Sequence, residues 1–71
     1  MSDATIELVV NGESGAYPDG VTVRALLDSL GLGGRPAAVE VNGSLVPARE
    51  HGGATLGAGD RVEVVTLVGG G

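Results

Sequence analysis

Few residues in this sequence could do chemistry, and they do not stand together. His51 is the single histidine, and with no cysteine and no lysine in the chain nothing can join it as a nucleophile–base pair. It reads as a solvated loop histidine. The lack of cysteine also excludes disulfides, thiolate metal sites, iron–sulfur clusters and a cysteine nucleophile. Nine acids (Asp3, Glu7, Glu13, Asp19, Asp28, Glu40, Glu50, Asp60, Glu63) are scattered without a close doublet, so neither a metal site nor a pair of catalytic carboxylates is expected. Gly31, Gly33 and Gly34 resemble a phosphate loop only superficially, because they follow a helical segment instead of preceding one and no Lys-Ser/Thr comes after them. They read as loop and cap residues. Asn42-Gly43-Ser44 fits the N-glycosylation pattern, which would matter only in a secreted chain.

What remains is the end of the chain. Gly69-Gly70-Gly71 follows an apolar strand, and three glycines serve no folding purpose there, since glycine is entropically costly to order and packs nothing. A tail without Cβ atoms suits threading through a narrow tunnel in a partner, with Gly69 and Gly70 as the thread and the Gly71 carboxylate at its tip. A free α-carboxyl has a pKa near ~3.5, so at neutral pH it is an anion able to attack the α-phosphate of ATP and form an acyl-adenylate. The expectation is therefore a protein acted upon, with no catalytic residues of its own and no cofactor bound. ATP would be consumed by the partner.

Composition agrees with that modest role. Seventy-one residues leave room for one small core, and 42% apolar content with one tyrosine and no Phe or Trp makes that core aliphatic. Nine acids against four arginines give a net charge of −5, the reverse of a nucleic-acid footprint and unfavourable for an anionic membrane surface. Acidic residues near the N-terminus and the absence of a long apolar run predict a soluble, cytoplasmic protein without signal peptide or membrane span.

The elements that must present the tail follow from the patterning. Ala4, Ile6, Leu8 and Val10 alternate with Thr5, Glu7 and Val9 as in a half-buried strand, and Asn11-Gly12 turns the chain into a weaker strand ending at Pro18. Val23, Leu26, Leu27 and Leu30 line one face of a helix, with Thr22 as its cap, Val21 and Leu26 as a hydrophobic staple, and Gly31 as its left-handed stop. Ala38–Val41, the turn Asn42-Gly43 and Leu45–Val46 form a second hairpin, followed by a short helical turn with Leu56 tucked inward. Arg61–Val68 is the strongest strand. The order ββαββ plus a final strand predicts an α+β, β-grasp (ubiquitin-like) domain over residues 1–68: a mixed sheet of about five strands with one main helix across it. Residues 69–71 are then a flexible glycine tail.

The helix segment Val21–Leu27, the run Val39–Pro47 with Asn42, Val46 and Pro47, Leu56, the run Gly59-Asp60-Arg61-Val62-Glu63, and Val68-Gly69-Gly70-Gly71 together resemble the ThiS family. These are the ubiquitin-like sulfur carrier proteins of thiamine (thiazole) biosynthesis, and the likeness covers nearly the whole chain. It implies a cycle run by partners. An adenylating activating enzyme modifies the C-terminal glycine, a sulfur donor fed by a cysteine desulfurase converts it to a thiocarboxylate, and thiazole synthase takes the sulfur. On this likeness Gly71 bears the reactive carboxylate and Gly70 is the second glycine of the motif. Without lysine the chain cannot form self-conjugates or polymer chains through lysine.

Other readings stay open from the sequence alone: a carrier for molybdopterin or for another sulfur-containing metabolite, and, in a different class, a β-grasp interaction module with an inert tail. On the last strand Val62, Val64, Thr66 and Val68 share one face, and Glu63, Val65 and Leu67 the other. If the helix covers the first set, Val65 and Leu67 are exposed beside the tail and form a partner-docking patch.

Overall fold

A computed structural model of the chain describes residues 4–66. Among the described residues the strands are β1 (Thr5–Val10), β2 (Glu13–Pro18), β3 (Ala37–Val41), β4 (Ser44–Val46) and β5 (Arg61–Thr66), with one helix, α1 (Val23–Ser29), and a single 3₁₀ turn over Ala48–Glu50. They form one five-stranded sheet in the order β2-β1-β5-β3-β4. β5 lies parallel to β1 and antiparallel to β3, and both hairpins are antiparallel. This is the mixed-sheet β-grasp of an α+β fold, with β5, the last strand in sequence, at its centre.

Alternation along the strands decides which side chains meet α1. Leu8 and Val10 of β1, Val39 of β3, and Val62 and Val64 of β5 are buried with Val21, Val23, Leu26, Leu27 and Leu56. The buried hydrophobic set is valine and leucine throughout, and Ile6, Tyr17, Leu32 and Val46 pack around it. Each fully buried aliphatic side chain contributes roughly 1.5–3 kcal/mol.

The helix starts where Thr22 Oγ1 accepts from Ala25 N at 3.1 Å. It is shorter than its apolar period suggests. Leu30 is the C-cap, Gly31 takes φ +77°, Gly31 N donates to Asp28 O and Leu32 N to Leu27 O. That pair of bonds is the Schellman closure, and Leu32 turns back onto the core beside Leu27. Leu30, a member of the apolar stripe by spacing, is left 40% exposed because the helix has ended before it. A Cβ on Gly33 would meet the tip of the exposed Asp28 side chain, which would have to turn aside to admit it.

His51 corrects the solvated-loop reading. It is 3% exposed, and Nε2 lies 3.0 Å from the Val46 carbonyl. A carbonyl can only accept, so Nε2 carries the proton. The 3₁₀ turn folds the ring inward, His51 N donating to Ala48 O while its own carbonyl accepts from Arg24 N. The residue joins the end of β4 to the start of α1, a structural task that a lone histidine among glycines does not reveal.

Candidate functional site

Gly69, Gly70, Gly71, Leu67 and Val68 lie outside the described residues, and β5 is the strand that precedes them in sequence. β5 is held on both sides by the two Asn-Gly turns. In each, the asparagine has positive φ (49° at Asn11, 52° at Asn42) and so has the glycine (85° and 86°), the type I′ geometry of a two-residue hairpin loop. Turning into that conformation directs the asparagine's own carbonyl away from the neighbouring strand. The side chain takes its place. Asn11 N donates to Val62 O at 2.9 Å, and Val64 N donates to Asn11 Oδ1 at 2.8 Å, extending the parallel ladder by one rung. On the other side Asn42 N donates to Arg61 O at 2.7 Å, and Arg61 N donates to Asn42 Oδ1 at 2.9 Å. Asn42 Nδ2 also donates to Asp60 Oδ1 at 3.0 Å, and Asp60 Oδ2 caps the preceding turn by accepting from Gly57 N at 2.7 Å. The Asn42 carboxamide thus makes one bond through each end, accepting at Oδ1 and donating from Nδ2.

Among the described residues, nothing covers the face of the sheet turned away from α1 along β5, β3 and β4. Val65 is 59% exposed and Leu45 64%, with Ala38 directly opposite Val65 and Leu45 directly opposite Glu40. Between the aliphatic positions Glu40 faces Glu63 across the ladder, both exposed. Like charges directly opposite one another are unfavourable in a sheet. Val65 thus stands on the solvent side, in a patch with Ala38 and Leu45 that the strand pattern alone did not assemble. Leu45 was hidden by the brevity of β4, and pairing it with Glu40 requires the register of the β3–β4 hairpin.

The described residues hold no group of three or more His, Asp or Glu side chains close enough to bind a metal. A shallow depression lined by Arg49, Glu50, Gly53 and Ala54 offers one cation, one carboxylate and no nucleophile. No helix among the described residues is long and apolar enough to cross a membrane.

Comparison with known proteins places this geometry in context. The ThiS family model matches residues 5–71, a span that includes the glycine end. A thiazole synthase of Paramagnetospirillum magneticum is 39% identical over 66 residues, which are 93% of this chain and 20% of that protein, so the chain corresponds to about a fifth of that relative's length. The uncharacterized protein ycf40 of Porphyra purpurea is 31% identical over 71 residues, the full length of both chains. Among solved structures, a thiamine biosynthesis protein (ThiS) from Geobacter metallireducens superposes with a TM-score of 0.78 at 29% identity, covering 93% of this chain and all of that one.

Proposed function

This chain belongs to the ThiS family of sulfur carriers, and from that premise we propose that it delivers sulfur for thiazole formation in thiamine biosynthesis as a thiocarboxylate on Gly71. A Gly71 carboxylate oxygen attacks the α-phosphate of ATP in a partner activating enzyme, and pyrophosphate leaves. The terminal sulfur of a persulfide on a donor fed by a cysteine desulfurase then displaces AMP from the acyl-adenylate. A second thiol of the partner proteins reduces the resulting acyl disulfide and is itself oxidised to a disulfide, and the carrier takes the released thiocarboxylate to its acceptor. The chain is a protein co-substrate in this cycle, not an enzyme, and the cycle runs in the cytoplasm. Thiazole synthase is the acceptor we favour, because a segment of one such protein is similar to almost this entire chain.

The observation that carries the proposal is the family match running through Gly71. The fold supports it: β5 is clamped at the centre of the sheet and the chain leaves it toward residues 67–71. Docking of the partners falls to the face that carries Val65, Ala38 and Leu45, and Leu67, two residues beyond Val65 in sequence, is proposed to act with them. Gly69 and Gly70 would thread the activating enzyme's channel, which a β-branched side chain would not pass.

The test is incubation of the protein with its activating enzyme, ATP and a sulfur source. The intact mass should rise by one oxygen-to-sulfur exchange located in the C-terminal peptide, and a variant ending at Gly70 should lose the reaction. Gly70→Val should abolish adenylation with an unchanged circular dichroism spectrum. If the intact protein yields neither adenylate nor thiocarboxylate, the carrier reading gives way to an interaction module.

A further inference from the structure

The two turns that clamp β5 share one chemical liability. An asparagine followed by glycine can cyclise on itself, because no side chain on the next residue hinders approach of its backbone nitrogen to the asparagine Cγ. We propose that Asn11 is a site of spontaneous deamidation in the folded protein, whereas Asn42, in a turn of the same backbone shape, is protected.

Both asparagines and both glycines are exposed, and nothing lies within 4 Å of the position a Cβ would take on Gly12 or Gly43. The φ angles agree to within a few degrees, 49° and 52° at the asparagines and 85° and 86° at the glycines. The carboxamides are not matched. Reaction requires the amide to swing away from its partners so that Cγ meets the following nitrogen. Asn42 must give up two bonds to do so, one at Oδ1 from Arg61 N and one from Nδ2 to the Asp60 carboxylate, itself fixed by Gly57 N. Asn11 has one side-chain bond to give up, at Oδ1 from Val64 N.

The step balances without any redox partner. The Gly12 nitrogen loses its proton to base and bonds to Asn11 Cγ, the Cγ–Nδ2 bond breaks, and Nδ2 departs with an added proton as ammonia. Water opens the resulting succinimide at one carbonyl to give aspartate, or at the other to give isoaspartate with the chain routed through the former side chain. Aspartate at position 11 keeps an oxygen for the Val64 N–H. Isoaspartate inserts a methylene into a two-residue turn and removes that acceptor from its place. Its damage falls on β5 one residue before the exposed Val65.

The experiment is storage of the intact protein in mildly alkaline buffer, natively and in concentrated urea, followed by peptide mapping with a fragmentation method that separates aspartate from isoaspartate. In urea the two sites, Val10-Asn11-Gly12-Glu13 and Val41-Asn42-Gly43-Ser44, should react at comparable rates. In the native protein Asn11 should lead Asn42 by about tenfold, the factor that corresponds to ~1.4 kcal/mol and lies within the net worth of one additional exposed hydrogen bond. Asp60→Ala should bring the Asn42 rate toward that of Asn11, and the native ratio in the unaltered protein stands on its own if that variant does not fold. Equal native rates, a faster Asn42, or no native reaction at Asn11 over the time in which the unfolded chain reacts would each overturn the proposal.

Discussion

Adjacent valines of β5 have opposite fates. Val64 is 8% exposed and belongs to the core, while Val65, the next residue on the same strand, is 59% exposed. On the inner face every requirement is one of folding: aliphatic side chains from β1, β3 and β5 fill the space under α1. On the outer face a lone exposed valine would be ordinary, because β-branched residues suit strands whether or not they are covered. What sets this face apart is Glu40 opposite Glu63 with Leu45 and Val65 beside them, an arrangement that packs nothing and opposes like charges. Among the described residues, this departure from local stability rules is the ground for the partner-docking role proposed for the face.

The contrast breaks most sharply with an inner-face truncation. Leu26 is fully buried between helix and sheet, so Leu26→Ala should cost about 2–5 kcal/mol in urea denaturation. Below its melting temperature the variant should still be adenylated at the normal rate per folded molecule. A loss under about 1 kcal/mol would mean that the inner face is not the packed side it is taken to be.

The clamps come next in size. Asn42→Ala leaves the Arg61 N–H and one Asp60 oxygen without the partners they have now, and Asn11→Ala does the same to the Val64 N–H. Each lost hydrogen bond is worth about 1 kcal/mol net. Asn42→Ala should therefore be the more destabilising of the two, and hydrogen exchange should quicken at Arg61 in that variant and at Val64 in Asn11→Ala. If neither amide changes, the side chains do not extend the ladders.

Much of this was legible in the sequence. Alternation gave β1, the apolar period gave α1, and Asn-Gly located both hairpin turns with the correct positive φ, because each signal is local and follows from backbone sterics. The strand order and the pairing of Glu40 with Glu63 were not legible, since they depend on which distant strand lies beside β5. His51 was misread for the same reason: its partners, Val46 and the first turn of α1, are reached only through the tertiary fold. The similarity of the two Asn-Gly turns was visible, but that each asparagine replaces its own carbonyl on β5 needed coordinates.

An outer-face change should leave the fold nearly untouched. Val65→Thr keeps the branched shape and strand preference while exchanging a methyl for a hydroxyl, so the stability change should stay within about 0.5 kcal/mol. Affinity for the activating enzyme or for thiazole synthase, measured by titration calorimetry, should fall. Unchanged affinity for both would remove Val65 from the docking patch.

The smallest stability effect carries the most information about that face. Glu63→Gln relieves the opposition to Glu40 without altering shape, and because the pair is exposed and screened the gain should be on the order of a few tenths of a kcal/mol. The same change predicts the opposite sign for binding. If a partner brings a cation to the space between the two carboxylates, removing one weakens association, and the deficit shrinks as salt rises because the lost interaction was electrostatic. Paired thermal melts and binding titrations at low and high salt would read both signs. A variant that is more stable and binds as well as the parent at every salt concentration would show that the Glu40–Glu63 opposition has no partner to serve, and the docking face would then reduce to its aliphatic positions.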